Sequence, residues 1–165
     1  MSDILRTPER SQVSMVEMVM PQHTNFLGSV FGGTIVSWVD IAAVIAAQRH
    51  CEQSVVTASI DAMHFLAPVQ LGWTVSILAR VNMVAKHSCE VGVRVLAQNP
   101  ILGESHHTAS AYLTMVSLDS QRNKLVMPHL TLVSEEDRRR HDEALSRRKS
   151  RVALREKLLR QRRKS

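Results

Sequence analysis

The stretch NFLGSVFGGTIVSWVDIAAVIAAQRH, Asn25 to His50, decides the fold. From Gly33 to His50 it holds no proline and no further glycine, alanine is frequent, and apolar side chains fall on every face. That pattern predicts a buried helix rather than an amphipathic one, about 27 Å long for these residues. Its lone acid, Asp40, raises the functional question. An ionised carboxylate withdrawn from water is costly unless it has a structural partner or a chemical task.

Outward from this helix the chain reads as strands. Gln12 to Met20 mixes apolar and polar residues and is stopped by Pro21. Ser54–Phe65, Gly72–Val84, Ser88–Gln98 and Glu104–Asp119 alternate or are rich in β-branched residues. Pro68 and Gly72, then Lys86 and His87, then Asn99, Pro100 and Gly103 mark the turns. Connections this short imply antiparallel neighbours. The predicted class is α+β: a strongly curved antiparallel sheet of about five strands wraps one long helix, whose remaining face is closed by a second copy of the chain. That is the hotdog fold.

The 165 residues fit one domain, with 44% hydrophobic and 22% charged residues, as in soluble globular proteins. The longest apolar run, Thr34 to Ala47, is too short for a bilayer and is interrupted by Asp40, and the N-terminus has no basic-then-apolar leader pattern, so a cytoplasmic protein is expected. Cys51 and Cys89 form neither a disulfide framework nor a zinc motif and read as reduced thiols. His64, His106 and His107 lack metal-ligand spacing, and Gly28, Gly32 and Gly33 do not fit a dinucleotide fingerprint.

The net charge of +6 is not evenly spread. Ser134–Ser165 hold 13 Lys or Arg against 6 Asp or Glu, while residues 1–133 hold 8 against 9. We divide the chain there, into a body of residues 1–133 and a basic tail of 134–165. The tail reads as a helix through i,i+4 pairs Glu135–Arg139, Glu136–Arg140, Glu143–Arg147 and Glu156–Arg160. Leu145, Val152 and Leu159 make too narrow a stripe for a core face. A solvated helix on the body or fraying from it is favoured over contact with nucleic acid or membrane, and the tail is expected to be separable from the chemistry.

NFLGSVFGGTIVSWVD, Asn25 to Asp40, resembles the Asn-x-x-Gly-x-x-Phe-Gly-Gly motif and following Trp-x-Asp of hotdog-fold acyl-CoA thioesterases, the acyl-CoA hydrolase branch found in bacteria and brain. TASIDAMHFLAPVQLG, Thr57 to Gly72, and HSCEVGVRV, His87 to Val95, are similar to the family's second and fourth strands. The resemblance runs from about Val13 to Ser117. It implies hydrolysis of acyl-CoA to free fatty acid and CoA, with coenzyme A only as part of the substrate and no metal or organic cofactor. It also implies a homodimer assembled into a hexamer or tetramer, with Asn25 of one subunit facing Asp40 of another. Catalytic roles fall on Asn25, Gly32, Gly33 and Asp40, and substrate contacts on Phe31, Thr57, Asp61, His64, Lys86, His87 and Ser88.

The residues read the same way physically. Thioester hydrolysis needs a base or nucleophile and donors aimed at the developing oxyanion. The backbone N–H groups of Phe31, Gly32 and Gly33, at a helix start, are expected to be unpaired, and the glycines let a carbonyl approach. Asp40 is the base or nucleophile, yet it lies about 10 Å along the axis from Gly33, too far for one tetrahedral centre within one chain. Competing readings are an Asp40 paired with Arg49 or Arg80, an Asn25–Gly28 turn, and an Asp61 that only bonds at a strand end. The rival function is a non-catalytic acyl-CoA sensor whose tail touches nucleic acid. A hydratase of the same fold is disfavoured, because no Asp/His pair occurs in the helix region.

Overall fold

The computed structural model describes residues 5–162. Strand β1 (Val13–Met18) leads into helix α1 (Gly32–Cys51), followed by β2 (Val55–Ile60), β3 (Thr74–Val84), β4 (Ser88–Gln98), β5 (Ser105–Ser117) and helix α2 (Glu135–Arg162). The strands form one antiparallel sheet in the order β1-β3-β4-β5-β2. Because β1 and β2 are its two edges, α1 carries the chain across the whole sheet. Twenty helical residues span about 30 Å, more than the roughly 19 Å across five paired strands. This is the hotdog arrangement.

β4 has the bounds expected of it, while β2 stops at Ile60 and leaves 61–68 as a loop. The helix departs from expectation in its faces. Ile35, Trp38, Val39, Ala42, Ala43, Ala46, Ala47 and His50 are buried, a stripe at i,i+3,i+4 spacing. They pack on Val75, Ile77, Val81, Val91, Val95, Ala111, Leu113 and Met115, all fully buried. The opposite face is apolar in composition but uncovered in the protomer: Val36, Asp40 and Val44 are half-buried and Ile41 is 46% exposed. A helix that is apolar all round in sequence is thus half covered by its own sheet.

The tail is docked through its first half. Ser134 and Asp137 cap α2 reciprocally, the Asp137 N–H donating to Ser134 Oγ at 3.1 Å and the Ser134 N–H to Asp137 Oδ2 at 3.0 Å. Ala144 is fully buried against the body, and Arg80 of β3 pairs with Asp137 at 3.2 Å. Of the expected pairs, Glu136–Arg140 and the looser Glu143–Arg147 are formed. Glu135–Arg139 and Glu156–Arg160 are not formed among the described residues: Arg139 reaches Glu136 and Glu143 instead.

Under α2, the outer face of the sheet is polar and tightly fitted. A Cβ on Gly92 would stand 2.4 Å from Nδ2 of the buried Asn82. Gly92→Ala is therefore expected to cost about 1–3 kcal/mol by overpacking, read as a lower denaturation midpoint with unchanged slope; an unaltered midpoint would contradict this packing.

Candidate active site

Asp40 sits on the uncovered face of α1, where the neighbouring edge strand meets it. The Thr57 hydroxyl of β2 donates to Asp40 Oδ1 at 2.5 Å. It also lies 3.7 Å from Met115 Sδ, but one hydroxyl has one proton and the carboxylate is the better acceptor. Oδ2 has no partner among the described residues, so it is free to meet a water or a carbonyl carbon. Asp40 does not pair with Arg49 or Arg80, which reach the Gln12 carbonyl and Asp137 respectively.

Beneath this site runs the cross-strand row Thr57, Met115, Cys89. Burial pushes the Cys89 thiol far above its ordinary value and raises Cys51 too, so neither offers a thiolate near neutrality. The available nucleophile or base is the carboxylate.

At its N-terminus α1 begins after an extended Phe31 with no side chain capping it. The N–H groups of Gly32 and Gly33 have no acceptor among the described residues, and the side of Gly33 where a Cβ would stand is open. Phe31 corrects the expectation of three unpaired donors: its N–H donates to the His23 carbonyl at 2.9 Å. The oxyanion candidate is reduced to the two glycines. The Phe65 ring lies over Gly32, 3.2 Å from where its Cβ would be.

Asn25 is held in its own turn. Its Oδ1 accepts the Leu27 N–H at 2.9 Å, its Nδ2 donates to Ser29 Oγ at 3.1 Å, and Gly28 closes the turn at φ 76°. That conformation suits glycine. Within the protomer neither Asn25 nor the glycine donors meet Asp40.

The remaining sequence-predicted residues lie apart. Lys86 and His87 lie in the β3–β4 turn and Ser88 opens β4, standing opposite Val116 near the start of β2, at the other end of the helix from Gly32. The His87 ring is held by the Leu125 carbonyl at 2.9 Å. His64 is exposed in the 61–68 loop. Asp61 bonds at the strand end through its N–H, to the Tyr112 carbonyl at 2.9 Å, while its carboxylate pairs with Arg151 of α2 at 2.7 Å.

Sequence reasoning overlooked Glu90. Its side chain is fully buried and pairs with Arg147 at 2.7 Å and Arg151 at 2.9 Å, while Arg147 also stacks 3.6 Å above the Tyr112 ring. Burial is the largest single influence and works against the charge of Arg147, but the Glu90 hydrogen bond together with the nearby charges of Glu90, Tyr112 and Glu143 outweighs it and the net shift is upward. The signal was an acid amid the apolar SCEVGVRV, Ser88–Val95.

The thioesterase superfamily model matches residues 27–104. The chain is 34% identical over 148 residues to the Bacillus subtilis acyl-CoA thioester hydrolase YkhA, covering 87% of this chain and 86% of that protein. It is 37% identical to mouse acyl-coenzyme A thioesterase 11, with 87% of this chain matched but only 24% of that protein, so it spans about a quarter of that relative. Among solved structures, an apo-hexameric acyl-CoA thioesterase superposes with a TM-score of 0.86 at 32% identity, covering 90% of this chain and 95% of the other. An acyl-CoA hydrolase from Staphylococcus aureus, solved with butyryl coenzyme A and coenzyme A, gives 0.84 at 28% identity, with 94% and 97% covered. Alanine variants of that protein at an Asp, an Asn and a Thr have also been solved, and the three positions are spaced along its chain as Asp40, Asn25 and Thr57 are along this one.

Proposed function

The chain belongs to the acyl-CoA thioester hydrolases of the thioesterase superfamily, and from that premise we propose that it hydrolyses acyl-CoA to a free fatty acid and coenzyme A with Asp40 as base or nucleophile. The observation that carries the reading is the Thr57–Asp40 hydrogen bond, which fixes one carboxylate oxygen and leaves the other free on a helix face that the protomer itself does not cover. As base, Oδ2 takes a proton from water while the water oxygen bonds to the thioester carbon. The developing oxyanion faces the N–H groups of Gly32 and Gly33, the C–S bond breaks, and the proton passes to the departing sulfur of CoA. As nucleophile, Oδ2 itself bonds to that carbon, and the C–S bond breaks to release CoA as its thiolate and leave a mixed anhydride on Asp40. Water then cleaves the anhydride to the free acid and the Asp40 carboxylate, its protons passing to the thiolate and to solvent. Neither route needs a metal or an organic cofactor.

We place the reaction between two subunits, because Gly33 and Asp40 of one helix are about 10 Å apart. The surface supports a partner there. Phe26 (96% exposed), Leu27, Phe31, Ile41 and Phe65 are apolar and open, and β2 leaves one edge unpaired. Asn25 and the glycines of one protomer then face Asp40 of its partner. Among the described residues no helix is long and apolar enough to cross a membrane. The two buried free thiols, Cys51 and Cys89, suit the reducing cytoplasm we assign to the protein.

The test follows free CoA release across acyl-CoAs of increasing length, with boiled protein as control, first for the native chain and then for mixed variants. Asn25→Ala and Asp40→Asn chains, each inactive alone, are expected on subunit exchange to regain about half the native activity per heterodimer. Exchanged chains, verified by mass spectrometry, that stay inactive would rule out the composite site; a native chain that releases no CoA would rule out the activity itself.

A further inference from the structure

The tail touches the segment beside the proposed site. Arg151 of α2 pairs with Asp61 at 2.7 Å and with Glu90 at 2.9 Å. Its side chain is 19% exposed, and those of Asp61 and Glu90 are 21% and 0% exposed, so the three charges meet largely out of water. Asp61 directly follows β2, the strand whose Thr57 holds Asp40, and it opens the 61–68 loop, whose Phe65 ring lies over Gly32. The loop's other anchors are the half-buried Met63, packed against the core, and two backbone bonds. The Asp61 N–H donates to Tyr112 and the Leu66 N–H to the Thr108 carbonyl at 2.8 Å, while His64, Phe65 and Leu66 are exposed.

We infer that Arg151 is a positioning residue for the proposed hydrolysis: by clamping Asp61 against Glu90 it fixes the end of β2 and holds the Phe65 ring against Gly32, beside the oxyanion donors. Phe65 there keeps water from the oxyanion donors, which act more strongly when dry and preorganised. The tail contributes geometry rather than a reacting group. The inference rests on the hydrolase reading.

The comparison is between Arg151→Met and Arg147→Met, assayed as intact oligomers well below their melting temperatures. Both remove one arginine from Glu90 and leave the other, but only the first releases Asp61. Arg151→Met is expected to lower kcat about tenfold while KM moves less than about threefold, in line with the cost of small misplacements. Arg147→Met should lose comparable stability and keep kcat, and Arg151→Lys should recover part of the loss. Asp61→Asn combined with Arg151→Met should be no slower than the slower single variant. Hydrogen exchange at Leu66 should quicken in Arg151→Met but not in Arg147→Met, a readout independent of turnover. Unchanged kcat and unchanged Leu66 exchange in Arg151→Met would overturn the inference. So would an Asp61→Asn variant that loses turnover while Arg151→Met keeps it, since Asp61 would then touch substrate directly. Absence of thioesterase activity in the native chain, with faster exchange in Arg151→Met, would overturn the hydrolase reading and leave the clamp standing.

Discussion

Asp40→Asn is expected to lower kcat at least about a hundredfold, or roughly 2.7 kcal/mol of transition-state stabilisation, without disturbing the fold. The substitution is conservative in shape. The amide oxygen still accepts the Thr57 hydroxyl that now sits 2.5 Å from Oδ1, so helix and edge strand stay in register. What is lost is an oxygen able to take a proton or attack a carbonyl. The side chain is half-buried at the helix surface with no charged partner among the described residues, so no ion pair collapses with it. The measurement is steady-state CoA release beside a thermal melt and an oligomer mass. Turnover within a few fold of native, at native stability, would remove Asp40 from the chemistry.

Deleting residues 134–165 is expected to destabilise the body by about 3–5 kcal/mol, the cost of stripping the partners from a buried charge. Both arginines that face the fully buried Glu90, Arg147 and Arg151, leave with the tail, and Arg80 loses Asp137. The melting temperature should fall by roughly 6–20 °C for a chain of this size. Glu90→Gln in the truncated protein should recover part of the loss, because a neutral amide costs less to leave buried than a carboxylate. A truncated chain that melts with the full-length protein would show that Glu90 is solvated or paired elsewhere. The clean separation of tail from chemistry expected from sequence therefore does not carry over to stability. The boundary after Val133 remains our proposed division of the chain, with the helix beyond it packed on the body.

Local periodicity made much of this legible. An apolar run without Pro or Gly between two turn-rich segments gave α1, observed from Gly32 to Cys51, and alternation bounded by Lys86 and Asn99 gave β4. Those signals act over a few residues and survive in one dimension. The loss at the end of β2 has an equally local cause: from Asp61 to Pro68 the alternation continues on paper, but only Asp61 and Leu66 find backbone partners across on the sheet. The capping box at Ser134 and Asp137 is equally local, a hydroxyl followed three residues later by an acid.

By itself the sequence determined that one long apolar helix carries a single carboxylate behind a glycine pair, because helix propensity and the chemistry of residue types need no neighbours to be read. Only the tertiary structure decided which groups remain free. The sheet order puts Thr57 against Asp40 across 17 positions of chain, closes the Phe31 N–H with His23, and aims Arg147 and Arg151 at Glu90 from 57 and 61 residues away. A donor, a carboxylate or an arginine looks alike in sequence whether it is available or already bonded. Its availability is set by long-range pairing, and that depends on which strands lie side by side.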